Sequence, residues 1–147
     1  MFKLLISSCL LGNNVTYKGS NNLIKDIDKL KTKFEFIPVC PEVMGGLPIP
    51  RIPSERFGNI VISKQGVNVS KQYEKGKNIV IDLAKKYNIK YALLKANSPA
   101  CGKNEIYDGT FTHTLIKRSG VTAEALMSIG VKVYNENEID KLLFDIE

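Results

Sequence analysis

Four short apolar segments separated by helical patterns constrain the fold of this chain most strongly. They are FKLLIS at 2–7, FEFIPV at 34–39, YALLKA at 91–96 and VKVYN at 131–135. Short apolar runs bounded by turn residues are typical of buried strands. Strands that alternate with helices form right-handed crossovers and a mainly parallel sheet. The sequence therefore predicts an α/β protein, a single domain over residues 1–147 with a three-layer Rossmann-like fold and helices on both faces of the sheet.

The segments between these strands give more local predictions. Apolar residues at helical spacing run from Leu23 to Phe34, and Ser70 and Thr122 are each placed to cap a further helix. NIVIS and GVNVS flank Lys64-Gln65-Gly66 and predict a hairpin. Residues 41–58 hold four prolines and three glycines. Because a loop of this length is uncommon in a compact domain, it is expected to be functional.

Composition places the chain among soluble globular proteins. It has 147 residues, 44% of them hydrophobic and 24% charged. No apolar run approaches the ~20 residues of a membrane span, and the start, MFKLLISSCLLGNN, lacks a signal-peptide cleavage site. We therefore expect a cytoplasmic protein with no membrane partner. The net charge of +6 could favour anionic partners, but the lysines are dispersed along the chain and indicate a solvated surface.

The three cysteines are the strongest functional feature. Cys9, Cys40 and Cys101 each follow a predicted strand, and flexible or turn-forming residues such as Gly12 and Gly102 lie close by. The carboxyl ends of parallel strands share one edge of the sheet, where ligands bind. The three thiols are therefore expected to converge, although Cys40 follows Cys9 by 31 positions and Cys101 follows Cys40 by 61. The absence of a CxxC pair excludes a zinc ribbon and a thioredoxin-like motif.

Three convergent thiolates are compatible with more than one metal. Zinc takes four ligands in structural sites, or three and a water in catalytic sites. His113 could be a fourth ligand, although a lone histidine in an alternating segment is more often a surface residue. An iron–sulfur cluster normally takes four thiolates, so three would leave one iron open. Thiolate softness suits either metal, and the sequence leaves both open at this point.

Several longer motifs carry a family resemblance. SSCLLG, VCPEVMGGLPIPRIPSE, LLKANSPACG, IYDGTF and GVTA occur in this order between about residue 4 and residue 126. In these motifs the chain resembles the DUF523 family of thiouracil desulfurases. The resemblance implies a single DUF523 domain whose cysteines, here Cys9, Cys40 and Cys101, bind a 4Fe–4S cluster with one iron open. It also implies a non-redox desulfuration of a thiolated pyrimidine, such as 2-thiouracil, to the oxo base with release of sulfide.

Two residues are expected to act in catalysis. Glu42, two positions after Cys40, is the predicted base that activates water, and its alternative role is to cap amides of the loop. Ser98, three positions before Cys101, is the predicted hydrogen-bond donor to substrate or water. Its alternative role is to shape the turn before Pro99.

The predicted substrate contacts are Ser8, Gly46, Arg51 and Asp108. Arg51 could instead steady the loop through Glu55, and Asp108 could instead bind Lys103 or form a turn before Gly109. Two other functions stay open. One is desulfuration of thiolated uridine in nucleosides or RNA, which the positive charge would assist. The other is a non-enzymatic metal-binding or redox-sensing module.

Overall fold

The structure is a computed structural model that describes residues 1–147. Its strands are β1 (Phe2–Ser7), β2 (Phe34–Val39), β3 (Ser54–Phe57), β4 (Ile60–Ser63), β5 (Tyr91–Leu93), β6 (Ile106–Tyr107), β7 (Leu115–Ile116) and β8 (Lys132–Tyr134). Its α-helices are α1 (Ile27–Lys31), α2 (Pro41–Met44), α3 (Ser70–Lys86), α4 (Val121–Ser128) and α5 (Ile139–Asp145). A 3-10 turn, Ser8–Leu11, follows β1 directly. No helix is both long and apolar enough to span a membrane.

The central sheet has four parallel strands in the order β2-β1-β5-β8. All four are the strands predicted from the apolar segments, and the α/β class with a mainly parallel sheet is confirmed. Leu5 in β1 lies opposite Ile37 in β2 and Ala92 in β5. Because β1 is central, Leu4, Leu5 and Ile6 are all fully buried.

Side chains of successive strand residues point to opposite faces of this sheet, and each face carries its own core. Leu5 packs with residues of α3 and α4, among them Val80 and Leu126. On the other face, Leu4 and Ile6 pack with Leu30 of α1 and with α5. The helices therefore cover both faces, as the alternation of strands and helices predicts.

Helix boundaries differ from those predicted. α1 spans only Ile27–Lys31, because Leu23 is 59% exposed and Phe34 already belongs to β2. Ser70 is the first residue of α3 rather than its cap, and its Oγ accepts a hydrogen bond from the N–H of Val61. Thr122 lies inside α4 and its hydroxyl has no partner. The predicted helices therefore exist, but the capping predictions for Ser70 and Thr122 were wrong.

The hairpin prediction was correct in part. β3 and β4 form an antiparallel pair around Gly58-Asn59, so the main hairpin begins inside the proline-rich segment 41–58. Residues 67–69 add to β4 through an isolated bridge between Ile62 and Asn68. The predicted pairing of β4 with residues 67–69 therefore exists, but the pairing of β3 with β4 is more extensive.

The short helix α2 packs unusually close to α3. A Cβ atom on Gly76 of α3 would lie 1.9 Å from the carbonyl oxygen of Pro41, and one on Gly45 would lie 1.9 Å from that of Gln72. Both positions therefore require glycine, because the backbones meet where a side chain would have to be. This contact fixes the residues that follow β2 against the long helix.

Candidate functional site

A cavity of about 550 Å³ opens at the carboxyl end of the central sheet. Cys9, Cys40 and Cys101 all line it, and they come from the segments that follow β1, β2 and β5. Ligand sites of α/β sheets lie at this edge. The structure therefore brings together the three cysteines whose convergence the sequence predicts.

Cys9 sits in the 3-10 turn that ends at Gly12. Gly12 has φ = 91°, which glycine adopts at little cost. The carbonyl oxygen of Cys9 accepts hydrogen bonds from the N–H groups of Gly12 and Asn22, at 3.2 and 2.9 Å. The turn thereby holds the thiol at the end of β1, where its side chain faces the cavity.

Cys40 immediately precedes α2, and Pro41 is the first helical residue, a position that tolerates proline well. The Cys40 Sγ lies 3.9 Å from the carbonyl oxygen of Val15. Nη2 of Arg51 donates to the same carbonyl at 2.9 Å. This thiol is therefore placed by the strand, by the short helix and by the loop that carries Val15.

Cys101 lies in a tight turn after β5. The Ser98 Oγ accepts hydrogen bonds from the N–H groups of Ala100 and Cys101, both at 3.1 Å. A Cβ on Gly120 would lie 2.5 Å from the carbonyl carbon of Ala100, so the turn packs directly on the start of α4. Ser98 thus shapes the turn that carries the third thiol, the alternative role that the sequence left open, and it also lines the cavity.

The pKa values of the three thiols depend on burial and on one another. Burial raises the pKa of all three, and most strongly that of Cys101. Repulsion from a Cys40 thiolate raises the pKa of Cys9 and of Cys101 further, which requires the groups to be close. As free thiols they are therefore neutral near pH 7, and a metal that binds them must displace their protons.

Glu42 lies in the first turn of α2 and also lines the cavity. Its Oε2 accepts a hydrogen bond from the Tyr73 hydroxyl at 2.5 Å and one from the Arg51 Nε at 3.4 Å. No backbone amide donates to the carboxylate, so the predicted amide-capping alternative is not what the structure shows. Burial, followed by the charge of Glu42, raises the pKa of Tyr73 well above its usual range, so this hydroxyl stays protonated.

The predicted substrate contacts are distributed unevenly. Ser8 and Arg51 line the cavity, whereas Gly46 and Asp108 do not. The Arg51 side chain is only 5% exposed and pairs with Glu42, so the alternative of a pairing with Glu55 was wrong. Asp108 accepts hydrogen bonds from the N–H and hydroxyl of Thr110, which hold its pKa below its usual range. Asp108 thus forms the turn before Gly109, one of its two alternative roles. The other alternative, a contact with Lys103, is wrong, because Lys103 pairs with Glu138.

Glu55 instead holds the loop that closes one side of the cavity. Its Oε1 accepts hydrogen bonds from the N–H groups of Gly109 and Phe111, at 3.0 and 3.1 Å. Phe111 and His113 line the cavity, and both have φ = 58°, in the left-handed region that non-glycine residues rarely adopt. Glu55 therefore helps to hold Phe111 at the wall of the cavity despite its unfavourable backbone conformation.

Sequence reasoning missed several residues of the site. Tyr73 has the apolar spacing of a buried helix residue, and Phe111 appears only as part of the motif IYDGTF. Lys95 lines the cavity and pairs with Glu136, whose carboxylate also accepts the N–H of Ala96 at 2.7 Å. The period of α3 marks Tyr73 as buried, but nothing local indicates where its hydroxyl ends.

The donor set of the cavity is three thiols, which are soft ligands. No group of three Cys, His, Asp or Glu side chains is arranged to hold one metal ion. Three thiolates around one cavity fit an iron–sulfur cluster that takes one protein ligand fewer than the usual four.

Comparisons with known proteins agree with this geometry. Residues 4–138 match the family model of 2-thiouracil desulfurase. The uncharacterized protein YbbK of Bacillus subtilis (strain 168) is 36% identical over 150 residues, which cover 95% of this chain and 99% of YbbK. The solved structure of the 4Fe-4S-dependent thiouracil desulfidase TudS (DUF523Vcz) superposes with a TM-score of 0.94 at 34% identity. The match covers 99% of this chain and 98% of that one.

Proposed function

Since this chain belongs to the 2-thiouracil desulfurase family, it is a desulfurase, and we propose that it converts a thiolated pyrimidine to the oxo base. The proposed substrate class is a free base such as 2-thiouracil, and the proposed cofactor is a 4Fe–4S cluster. The observation that carries the proposal is that all three cysteines of the chain line one cavity together with the Glu42 carboxylate.

Cys9, Cys40 and Cys101 would hold the cluster. The chain has no fourth cysteine, so one iron would keep a position free of protein thiolate. When bound, such a cluster supplies a thiophilic Lewis acid that draws electrons from the thiocarbonyl carbon. A cavity of about 550 Å³ lies within the usual size of small-molecule sites, roughly 300–1,000 Å³.

Glu42 would act as the general base. The overall reaction adds the oxygen of one water to the carbon and releases its sulfur as sulfide, while the two water protons leave with that sulfide. No electrons are gained or lost, so no oxidant or reductant is needed. A carboxylate at the cavity wall can take the first proton from the water as it adds to the carbon.

Ser98 would donate a hydrogen bond to the substrate. A hydroxyl has two acceptor lone pairs and one proton. Its oxygen already accepts two amide N–H groups, so the proton remains available for a group in the cavity. A donor placed there would stabilise negative charge that develops on the ring as water adds.

The test is anaerobic reconstitution with iron and sulfide, followed by incubation with 2-thiouracil. We expect loss of thiocarbonyl absorbance and release of one sulfide for each base converted. Glu42→Gln should keep the cluster and lower kcat by about 10²–10⁴-fold, the usual contribution of a general base. Stoichiometric zinc binding without a cluster or turnover would contradict the proposal.

A second substrate class is thiolated uridine in nucleosides or RNA, and one observation favours RNA. Lys18 and Lys64 line the cavity, and neither forms a salt bridge. Unpaired cations at a cavity can bind phosphate, and such binding weakens steeply with salt. A KM for thiolated RNA that rises with salt, while that for 2-thiouracil stays constant, would support this class. Absence of RNA turnover at low salt would exclude RNA as a substrate.

A further inference from the structure

We propose that Tyr73 is a positioning residue that fixes the carboxylate of Glu42 with one oxygen free to face the substrate. The proposal rests on the proposed function, because it assigns Tyr73 a role through the proposed base. Tyr73 itself belongs to α3 and is only 1% exposed, so it acts from behind the wall of the cavity.

The two donors to Glu42 meet the same oxygen. The Tyr73 hydroxyl and the Arg51 Nε both donate to Oε2, while Oε1 has no partner in the protein. The only buried side-chain polar atom without a partner is the Thr122 Oγ1. The unpaired Oε1 of Glu42 is therefore accessible, and Glu42 lines the cavity. The arrangement leaves one oxygen anchored and the other open for a proton.

The Tyr73 contact is the stronger of the two anchors. Its O···O distance is 2.5 Å, within the range of short hydrogen bonds to carboxylates, whereas the Arg51 contact is 3.4 Å. Arg51 also divides its donors between the carbonyl oxygens of Pro48 and Val15. Removal of the Tyr73 hydroxyl would therefore leave the carboxylate with one long bond.

The fold makes this anchor necessary. α2 has only four residues, too few to be stable as a helix without tertiary contacts. It is held instead against α3, where Gly76, three residues after Tyr73, lets the two backbones meet at Pro41. A rigid, 17-residue helix thus supplies the hydroxyl that a short turn cannot supply for itself.

The expected consequence is a loss in kcat rather than in substrate affinity. Tyr73 does not line the cavity that holds the thiols, so it does not contact the substrate. Misplacement of a reacting group by about 1 Å can cost about a hundredfold in rate. We expect Tyr73→Phe to lower kcat by about tenfold or more, with KM and iron content near those of the wild type.

Tyr134→Phe is a matched control. Tyr134 is also buried, with 3% exposure, and its hydroxyl also donates to a carboxylate oxygen at 2.5 Å, that of Asp145. It lies in the core on the other face of the sheet and does not line the cavity. Both variants remove one hydroxyl from one carboxylate, but only Tyr73→Phe should lower kcat.

The experiment measures kcat, KM, iron per chain and thermal unfolding for both variants, and for Tyr73→Phe in a Glu42→Gln background. We expect Tyr73→Phe to add no further loss in that background, because its effect passes through Glu42. An equal loss in both backgrounds, equal losses in both tyrosine variants, or an unchanged kcat in Tyr73→Phe would overturn the proposal. Turnover by the wild type tests the proposed reaction separately. If the wild type turns over and Glu42→Gln has the same kcat, then Glu42 is not the base and Tyr73 has no role through it. The proposed reaction itself would still stand.

Discussion

Gly76→Ala separates the effect of helix propensity from that of the α2–α3 contact. Alanine in a helix interior is favoured over glycine by about 0.8–1 kcal/mol, so propensity alone predicts a more stable protein. The structure predicts the opposite. The new Cβ would lie 1.9 Å from the oxygen and 2.7 Å from the carbon of the Pro41 carbonyl. These are backbone atoms, so no side-chain rotation relieves the overlap.

The magnitude follows from the distance to be recovered. The Cβ must retreat by about 1 Å to reach 3.0 Å, below which real Cβ contacts essentially do not occur. Overpacking of this kind costs about 1–3 kcal/mol, and near its upper limit it outweighs the propensity gain. A net loss of about 2 kcal/mol would lower Tm by roughly 4–8 °C in a chain of this size. The same 1 Å shift would displace Cys40 and Glu42 and lower kcat by up to about a hundredfold.

Thermal unfolding of the metal-free protein, with iron content and kcat after reconstitution, measures these effects. Asn78→Ala is the control, since Asn78 is exposed on the same helix and should gain a few tenths of a kcal/mol. A Tm for Gly76→Ala at or above that of the wild type, with unchanged kcat, would refute the close packing of α2 on α3.

The remaining predictions concern the two loops beside the cavity. Glu55→Ala removes the acceptor of the Gly109 and Phe111 amides. Each such bond contributes ~0.5–1.5 kcal/mol, so loss of both should raise the KM for 2-thiouracil by about fivefold to a hundredfold. Glu55→Gln keeps an oxygen acceptor and should raise KM less; steady-state kinetics of both variants at equal iron content is the test, and equal KM values for the alanine variant and the wild type would contradict it. Ser98→Ala leaves two amides of the Cys101 turn without their acceptor and should reduce the iron retained after gel filtration, whereas Ser98→Thr should retain it. Full iron retention with normal kcat in Ser98→Ala would show that neither role of this hydroxyl is needed.

The sheet and the convergence of the cysteines were predictable because both depend on simple patterns. Apolar runs such as 2–7 and 91–96 are too short for helices and too buried for loops, so they specify strands. Once the strands are parallel, their carboxyl ends must share an edge, and the cysteines that follow them must meet there. No pairwise contact had to be known for that inference.

The side-chain contacts within the site were not predictable, because they depend on which partner the polar end of each long side chain reaches. Arg51 could reach either Glu55 or Glu42 from its position in the proline-rich segment, and the structure places it on Glu42. Tyr73 has the apolar period of a core residue, and only the close approach of α2 at Gly76 brings its hydroxyl to a carboxylate. The β3–β4 pairing was missed for a related reason. Ile60 and Val61 pair with Phe57 and Arg56 across the Gly58-Asn59 turn. Nothing in their own sequence pattern favours that segment over residues 67–69.

The ligation of a cluster by the three cysteines is the central claim, and iron and acid-labile sulfide per chain test it most directly. The measurement compares the anaerobically reconstituted wild type with Cys9→Ser, Cys40→Ser and Cys101→Ser. We predict a 4Fe–4S stoichiometry in the wild type and loss of most iron and sulfide in each variant, with the fold retained by circular dichroism. A full cluster in any one variant, or a wild type that takes up a single zinc ion and no cluster, would contradict the account.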